Sequence, residues 1–207
     1  MKSQSLIAGA ALLVAGASAH GNITSPPARI PGPAMAAACG DAAVANVEAD
    51  GTIPLENVLP TGASCQLDLC RGATFADNAA QVQTFTPGQV VAMTVDIPIP
   101  HEGPMNVSIV DTKTNTVVGG PLIEFESYAD EALAVLPANN TAFSVTMPTD
   151  LAAGTCAVAG DCVLQWFWFG TGAKQTYESC VDFVMGNATA TASCDASSAR
   201  VRRRYVA

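Results

Sequence analysis

The chain has 207 residues, of which 18 are acidic and 9 basic, for a formal net charge of −9 with histidine neutral. Four of the basic residues, Arg200, Arg202, Arg203 and Arg204, stand at the extreme C-terminus, so the body is more acidic still. That balance argues against nucleic acid or an anionic membrane surface as partner, whereas a neutral glycan would suffer no repulsion.

Met1 to Ala19 has the parts of a secretory leader: Lys2 at the charged start, an apolar run from Leu6 to Ala15, then Ala17-Ser18-Ala19. The run falls short of the roughly 20 apolar residues that a spanning helix needs. No later stretch is long and apolar enough, so a secreted, extracellular protein with no membrane partner is expected. A cut after Ala19 leaves His20 first. Ala15-Gly16-Ala17 is a second small-x-small site that would leave Ser18 first; the cut before His20 is the one carried forward. One domain with a tail is expected: leader 1–19, domain 20–185, tail 186–207.

His20 to Cys39 contains Pro26, Pro27, Pro31, Gly32 and Pro33. Prolines lack a backbone donor, so this segment reads as extended or turning without regular structure, with one helical turn at Ala34 to Ala38. Residues 41–80 are small, polar and irregular, with turn signals at Asp50-Gly51 and Pro60-Thr61-Gly62. So long a connection is usually functional or pinned by a disulfide.

From residue 81 the period becomes two. Val91, Met93, Val95 and Ile97 alternate with Ala92, Thr94 and Asp96, the pattern of a half-buried strand. Pro98, Pro100 and Gly103 mark a loop carrying His101, and Val107 and Ile109 open the next strand. Asp111 to Asn115 is a polar turn. Val117 to Val118, Leu122 to Phe125, Phe143 to Met147, Val163 to Phe169 and Gln175 to Met185 are further strands, with a short helix at Asp130 to Leu136. Short strands at regular spacing with little helix predict an all-β, antiparallel β-sandwich with long loops. Trp166 and Trp168 share one strand face, Phe167 and Phe169 the other, and both pairs read as core. Ala188 to Ser198 is small and polar without a hydrophobic pattern, so the tail reads as disordered. Its arginine run is a solvated cluster or a protease processing site.

Seven cysteines behind a leader predict disulfides. The short spacings favour Cys65–Cys70 and Cys156–Cys162, then Cys39–Cys180, leaving Cys194 as the odd one. No zinc site is expected, because neither short spacing is Cys-x-x-Cys and no histidine is near. Asn22, Asn106, Asn139 and Asn187 are glycosylation sequons, of which some are expected to be occupied.

The chain has two histidines, His20 and His101. A terminal His20 would offer its α-amine and a ring nitrogen as one chelate, and His101 a third nitrogen. Flat nitrogen ligation is a copper(II) preference. Taken singly, His101 reads as an ordinary surface histidine; the pairing with a terminal His20 is what points to one copper ion. On a strand, Gln175 and Tyr177 project to one face. Tyr177 could stand axial to the metal and Gln175 could bond whatever binds in an open position; taken alone, Tyr177 reads as a core tyrosine.

Three elements in order carry a resemblance: His20-Gly21 after the leader, Ile99-Pro100-His101-Glu102-Gly103, and Gln175-Thr176-Tyr177-Glu178-Ser179-Cys180. Over residues 20 to 185 the chain resembles the lytic polysaccharide monooxygenases, secreted copper enzymes with a histidine brace. The texture at Ile23 to Arg29, Ala38-Cys39-Gly40, Asn106 to Asp111 and Gln165 to Trp168 is similar to the fungal group called auxiliary activity family 16. The resemblance implies an immunoglobulin-like or fibronectin-like sandwich with a flat face centred on copper. It implies His20, His101 and Tyr177 as the metal residues, and Gln175 as their catalytic neighbour. It implies an external electron donor with O2 or H2O2, and an insoluble polysaccharide substrate, cellulose oxidised at the anomeric carbon. A monomer is expected. Many fungal relatives place a further histidine near the metal; here Gln175, Gln165 or Glu102 would have to serve. His20 methylation is possible on that resemblance.

Three other functions match the sequence less well. A copper-binding or copper-delivery protein of the same fold would use an acidic residue near the metal and often carries a lipid anchor; Tyr177 and the lack of an anchor signal favour the enzyme. A plain carbohydrate-binding module would not need a terminal histidine. A hydrolase needs two carboxylates set about 5–10 Å apart in a cleft, which an acidic surface does not predict.

Overall fold

The computed structural model describes residues 20–186. The leader, the tail with its arginine run, Asn187 and Cys194 lie outside the described residues. The described chain contains nine strands, four short α-helices and three single-turn 3-10 helices. The strands are β1 (His20–Ser25), β2 (Gln83–Phe85), β3 (Val90–Ile99), β4 (Gly103–Asp111), β5 (Thr116–Val117), β6 (Ile123–Tyr128), β7 (Ala142–Thr146), β8 (Cys162–Gly170) and β9 (Gln175–Met185). The helices are α1 (Pro33–Cys39), α2 (Asp41–Ala49), α3 (Phe75–Asn78) and α4 (Ala138–Thr141).

The strands form a sandwich of the immunoglobulin-like kind. One sheet has the order β1-β3-β7; the other runs β2-β9-β8-β4-β5, with β6 also on β4. All pairs are antiparallel except the short β2–β9 pair, which is parallel. Period-two patterning decides which side chains enter the core. Val91, Met93 and Val95 of β3 are buried, while Ala92, Thr94 and Asp96 between them face out. Opposite them lie Val107 and Ile109 of β4, Leu164, Trp166 and Trp168 of β8, and Tyr177, Val181 and Phe183 of β9.

The central strands β8 and β9 are buried on both faces over most of their length. The cover on the outer face comes from the long connection before β2. Leu69 and Cys70 pack on Val110, Val163 and Cys180. Behind them α1 and α2 enclose a second small core of Met35, Cys39, Ala43, Val47, Ile53, Val58 and Ala73.

Several expectations need correction. His20 to Ser25 is a strand, not irregular chain: the prolines begin only at Pro26, and Gly21 and Ile23 alternate inward before them. The connection at 41–80 contains α2, nine residues long, whose buried Ala43 and Val47 are spaced i, i+4. Asp41 stands in its first turn, where a carboxylate suits the helix dipole. Asp130 to Leu136 is turns, and the short helix comes later as α4. The Phe167–Phe169 face of β8 is only half-buried; the Trp166–Trp168 face is core.

The disulfides differ too. Cys156–Cys162 is as expected, but the others are Cys39–Cys65 and Cys70–Cys180. Cys65 packs with the α1–α2 core and so meets Cys39. Cys70 and Arg71 both adopt positive φ, 57° and 56°, a turn that lays Cys70 on Cys180 and Arg71 against Glu178. Nearness in sequence gave the wrong partner because that turn sends the two cysteines to different layers.

Replacing Cys70 and Cys180 together by alanine opens a cross-link spanning 110 residues. About 2–5 kcal/mol of stability should be lost, read as a lower denaturation midpoint. An unchanged midpoint would contradict this pairing.

Candidate metal centre

The site is built outward from Trp168. On β8 its partner across the ladder is Tyr177 of β9. The two rings stack with centroids 4.4 Å apart. Trp168 Nε1 donates to the His101 carbonyl at 3.1 Å, fixing the β3–β4 turn. The strand β1 lies against the same ring. A Cβ on Gly21 would come within 2.9 Å of Trp166 Cη2 and 3.0 Å of Trp168 Cζ3, so only glycine fits after His20 without the rings giving way. The β1–β3 register places His20 opposite Ile99, two residues before His101. Gly170 closes the arrangement: a Cβ there would lie 3.0 Å from His101 Cβ, and Gly170 pairs with Gln175. One end of the sandwich thus gathers His20, His101, Gln175 and Tyr177.

Each imidazole meets a carboxylate. His20 Nε2 lies 2.7 Å from Asp50 Oδ2, with the histidine side chain largely buried. The other oxygen of Asp50 accepts from the Thr52 amide at 2.9 Å and from the Thr52 hydroxyl. Burial pushes the Asp50 carboxyl up. The Thr52 bonds, with the charges of His20 and Arg71, more than offset this and hold it below its ordinary value. Gly21 N donates to Thr52 O at 2.9 Å, tying β1 to the same turn.

His101 Nδ1 lies 3.9 Å from Glu131 Oε1, while Glu131 Oε2 accepts from the Glu102 amide. Among the described residues, His101 Nε2 is buried and has no hydrogen-bond partner. A buried nitrogen left without a partner is uncommon, and an unpartnered imidazole nitrogen is the atom a soft or borderline metal takes. The donor set therefore fits copper. Among the described residues no cluster of three or more His, Cys, Asp or Glu could hold a metal.

Tyr177 is fully buried, and its hydroxyl donates to Gln175 Oε1 at 2.8 Å. Burial, with the charge of Glu56 adding, pushes the phenol well above its ordinary value, so it stays neutral. Of the three candidates for the role of a missing histidine, Gln165 lies on the outer face of β8 across from Cys180, away from the tryptophan face. Glu102 is exposed and accepts from Ser127 Oγ at 2.8 Å. Only Gln175 is joined to Tyr177.

Sequence reasoning missed Asp50, Glu131 and Arg71. Asp50-Gly51 stood out only as a turn. Arg71 is buried, and its guanidinium donates to the carbonyls of Gly51, Ile53 and Glu178 and to Asn22 Oδ1. Burial pulls its pKa down to about 10, which leaves it a cation. Burial also raises Glu178 to about 7. These two with Asn22 and Val47 help to line a cavity of about 310 Å³, to which neither histidine contributes.

The family model described as lytic polysaccharide mono-oxygenase, cellulose-degrading, matches residues 20–183. The chain belongs to this family. The match opens on His20 and closes within β9, so it takes in every residue of the site just described. The matching family is the bacterial-type one, and the fungal placement expected from the sequence is not confirmed by it. Two solved structures are similar to this mono-oxygenase-family chain. A chitin binding domain from Burkholderia pseudomallei shares 15% identity at a TM-score of 0.43, covering 81% of this chain and 100% of that one. A cellulose-active lytic polysaccharide mono-oxygenase, CelS2, in complex with copper shares 12% at 0.45, with the same coverage. Neither is close enough to bear on what this chain binds. No curated protein matches it.

Replacing Trp168 by phenylalanine keeps most of the ring but removes the donor to the His101 carbonyl. A loss of about 1–3 kcal/mol is expected, measured by denaturant unfolding. A variant as stable as the parent would show that the bond does not hold the turn.

Proposed function

We propose that this protein is a secreted, copper-dependent enzyme that cleaves glycosidic bonds of insoluble polysaccharide oxidatively, cellulose first, with oxidation at the anomeric carbon. The observation that carries the reading is the buried Nε2 of His101, without a hydrogen-bond partner among the described residues, at the same end of the sandwich as His20, in a chain of this family. His20, through its freed amine and a ring nitrogen, and His101, through Nε2, would hold one copper ion, with Tyr177 as the further metal residue. Bound copper, reduced by an external donor, supplies one-electron chemistry with O2 or H2O2.

The chain's own residues set the conditions for that chemistry. Tyr177 offers a neutral phenol, fixed by Gln175, rather than a charged ligand. Gln175, half-buried beside Tyr177, can bond what enters beside the metal. Trp168 stacks on Tyr177 and holds the His101 carbonyl. No helix among the described residues is long and apolar enough to cross a membrane. The leader at 1–19, cut before His20, and the tail from 186 belong to this proposal. Among the described residues, exposed Asn139 is the sequon best placed to carry a glycan.

The neutral tyrosine favours the enzyme over copper delivery. The mature protein, given copper and a reductant, should release oxidised oligosaccharides from cellulose. Chitin and hemicelluloses serve as comparison. His101→Ala should still be secreted but lose tight copper binding and all product. Tight copper binding with no product on any of these glycans would overturn the enzymatic reading in favour of delivery.

A further inference from the structure

We propose that Asp50 is a positioning residue for His20: its carboxylate holds Nε2 of the imidazole and so presents Nδ1 for chelation together with the residue's own α-amine. This rests on the copper reading above.

The geometry is local and well supported. Asp50 Oδ2 stands 2.7 Å from His20 Nε2. A carboxylate only accepts, so Nε2 carries the proton of that bond. Asp50 is itself fixed. Thr52 holds its other oxygen through amide and hydroxyl, and Arg71 grips the carbonyls of Gly51 and Ile53 on either side of Thr52. The Gly21–Thr52 backbone bond sets β1 at the same height. The turn is therefore built against the first residue of β1 from three directions.

Chelate geometry supplies the other half. An α-amine and Nδ1 of one histidine close a six-membered ring through the metal, whereas Nε2 lies on the far side of the imidazole and cannot reach it. A group that occupies Nε2 does not compete with the metal; it selects the ring rotation and tautomer that the chelate needs. Asp50 is by the same geometry not a metal ligand, which separates it from the acidic residue expected of a delivery protein. A methyl group on Nε2 would remove the hydrogen that this contact uses, so the contact requires an unmethylated His20.

The test uses the secreted chain cut before His20. In Asp50→Asn the Thr52 contacts survive, because the amide oxygen still accepts, but the acceptor facing His20 can be lost. Copper affinity should fall about 10- to 100-fold, with a changed copper(II) resonance spectrum and an unchanged apo melting temperature. Nitrogen NMR of the metal-free parent chain should show His20 protonated on Nε2. Tight copper binding in the parent with an insensitive Asp50→Asn would sink this proposal alone. Absent copper binding in the parent would sink the copper reading and this proposal with it. A His20 protonated on Nδ1, or methylated on Nε2, overturns the proposal even if the variant does not fold.

Discussion

The buried guanidinium of Arg71 is the constraint on which the candidate site depends. Taking a cation out of water is costly unless its hydrogen bonds are met. Here the group is 5% exposed, and it donates to two carbonyls of the Gly51–Ile53 turn, to Asn22 on β1 and to the Glu178 carbonyl on β9. Those partners come from three parts of the chain that no regular ladder joins. A cation with that many acceptors can be satisfied only when the turn, the first strand and the last strand are in place together. The Cys70–Cys180 bridge next to it fixes the same layer covalently. What looks in sequence like a loose connection is therefore a clamp on the outer face of the large sheet.

Trp168 plays the corresponding part inside the sandwich. One face stacks on Tyr177, the indole N–H holds the His101 carbonyl, and the edge meets Gly21. The two histidines lie 81 residues apart in the chain, yet register and this one ring bring their segments to the same end. Arg71 fixes the site from outside and Trp168 from within. His20 is held by a carboxylate on one ring nitrogen and pairs with Ile99, two residues before His101, whose buried Nε2 has no hydrogen-bond partner among the described residues. Function is drawn from that pair, because a sandwich fold by itself is compatible with many activities.

Much of the frame was legible in the sequence. Val91 to Ile97 and Gln175 to Met185 carried clear period-two or long apolar patterns, and the sandwich followed. His20, His101, Gln175 and Tyr177 could be named because histidine is scarce and the terminal motif is specific. What escaped depends on contacts between distant segments. Cys65 and Cys70 look like partners until a left-handed turn sends them to different layers. The helix α2 hides in small residues whose amphipathic stripe is only Ala43 and Val47. Asp50 reads as a turn former, since nothing local shows that its second oxygen meets an imidazole 30 positions earlier. Arg71 carries no pattern, because its partners are mostly backbone carbonyls.

The central claim is that His20 binds a metal through its own amine as well as its ring, with His101 completing the set. It is tested most directly by copper(II) titration and resonance spectroscopy on two forms of the chain. One begins at His20; the other carries a single extra residue before it. The account predicts one tightly bound copper with three nitrogen ligands in the first form, and loss of that tight site in the second. Equal affinity and identical spectra in both forms would contradict it.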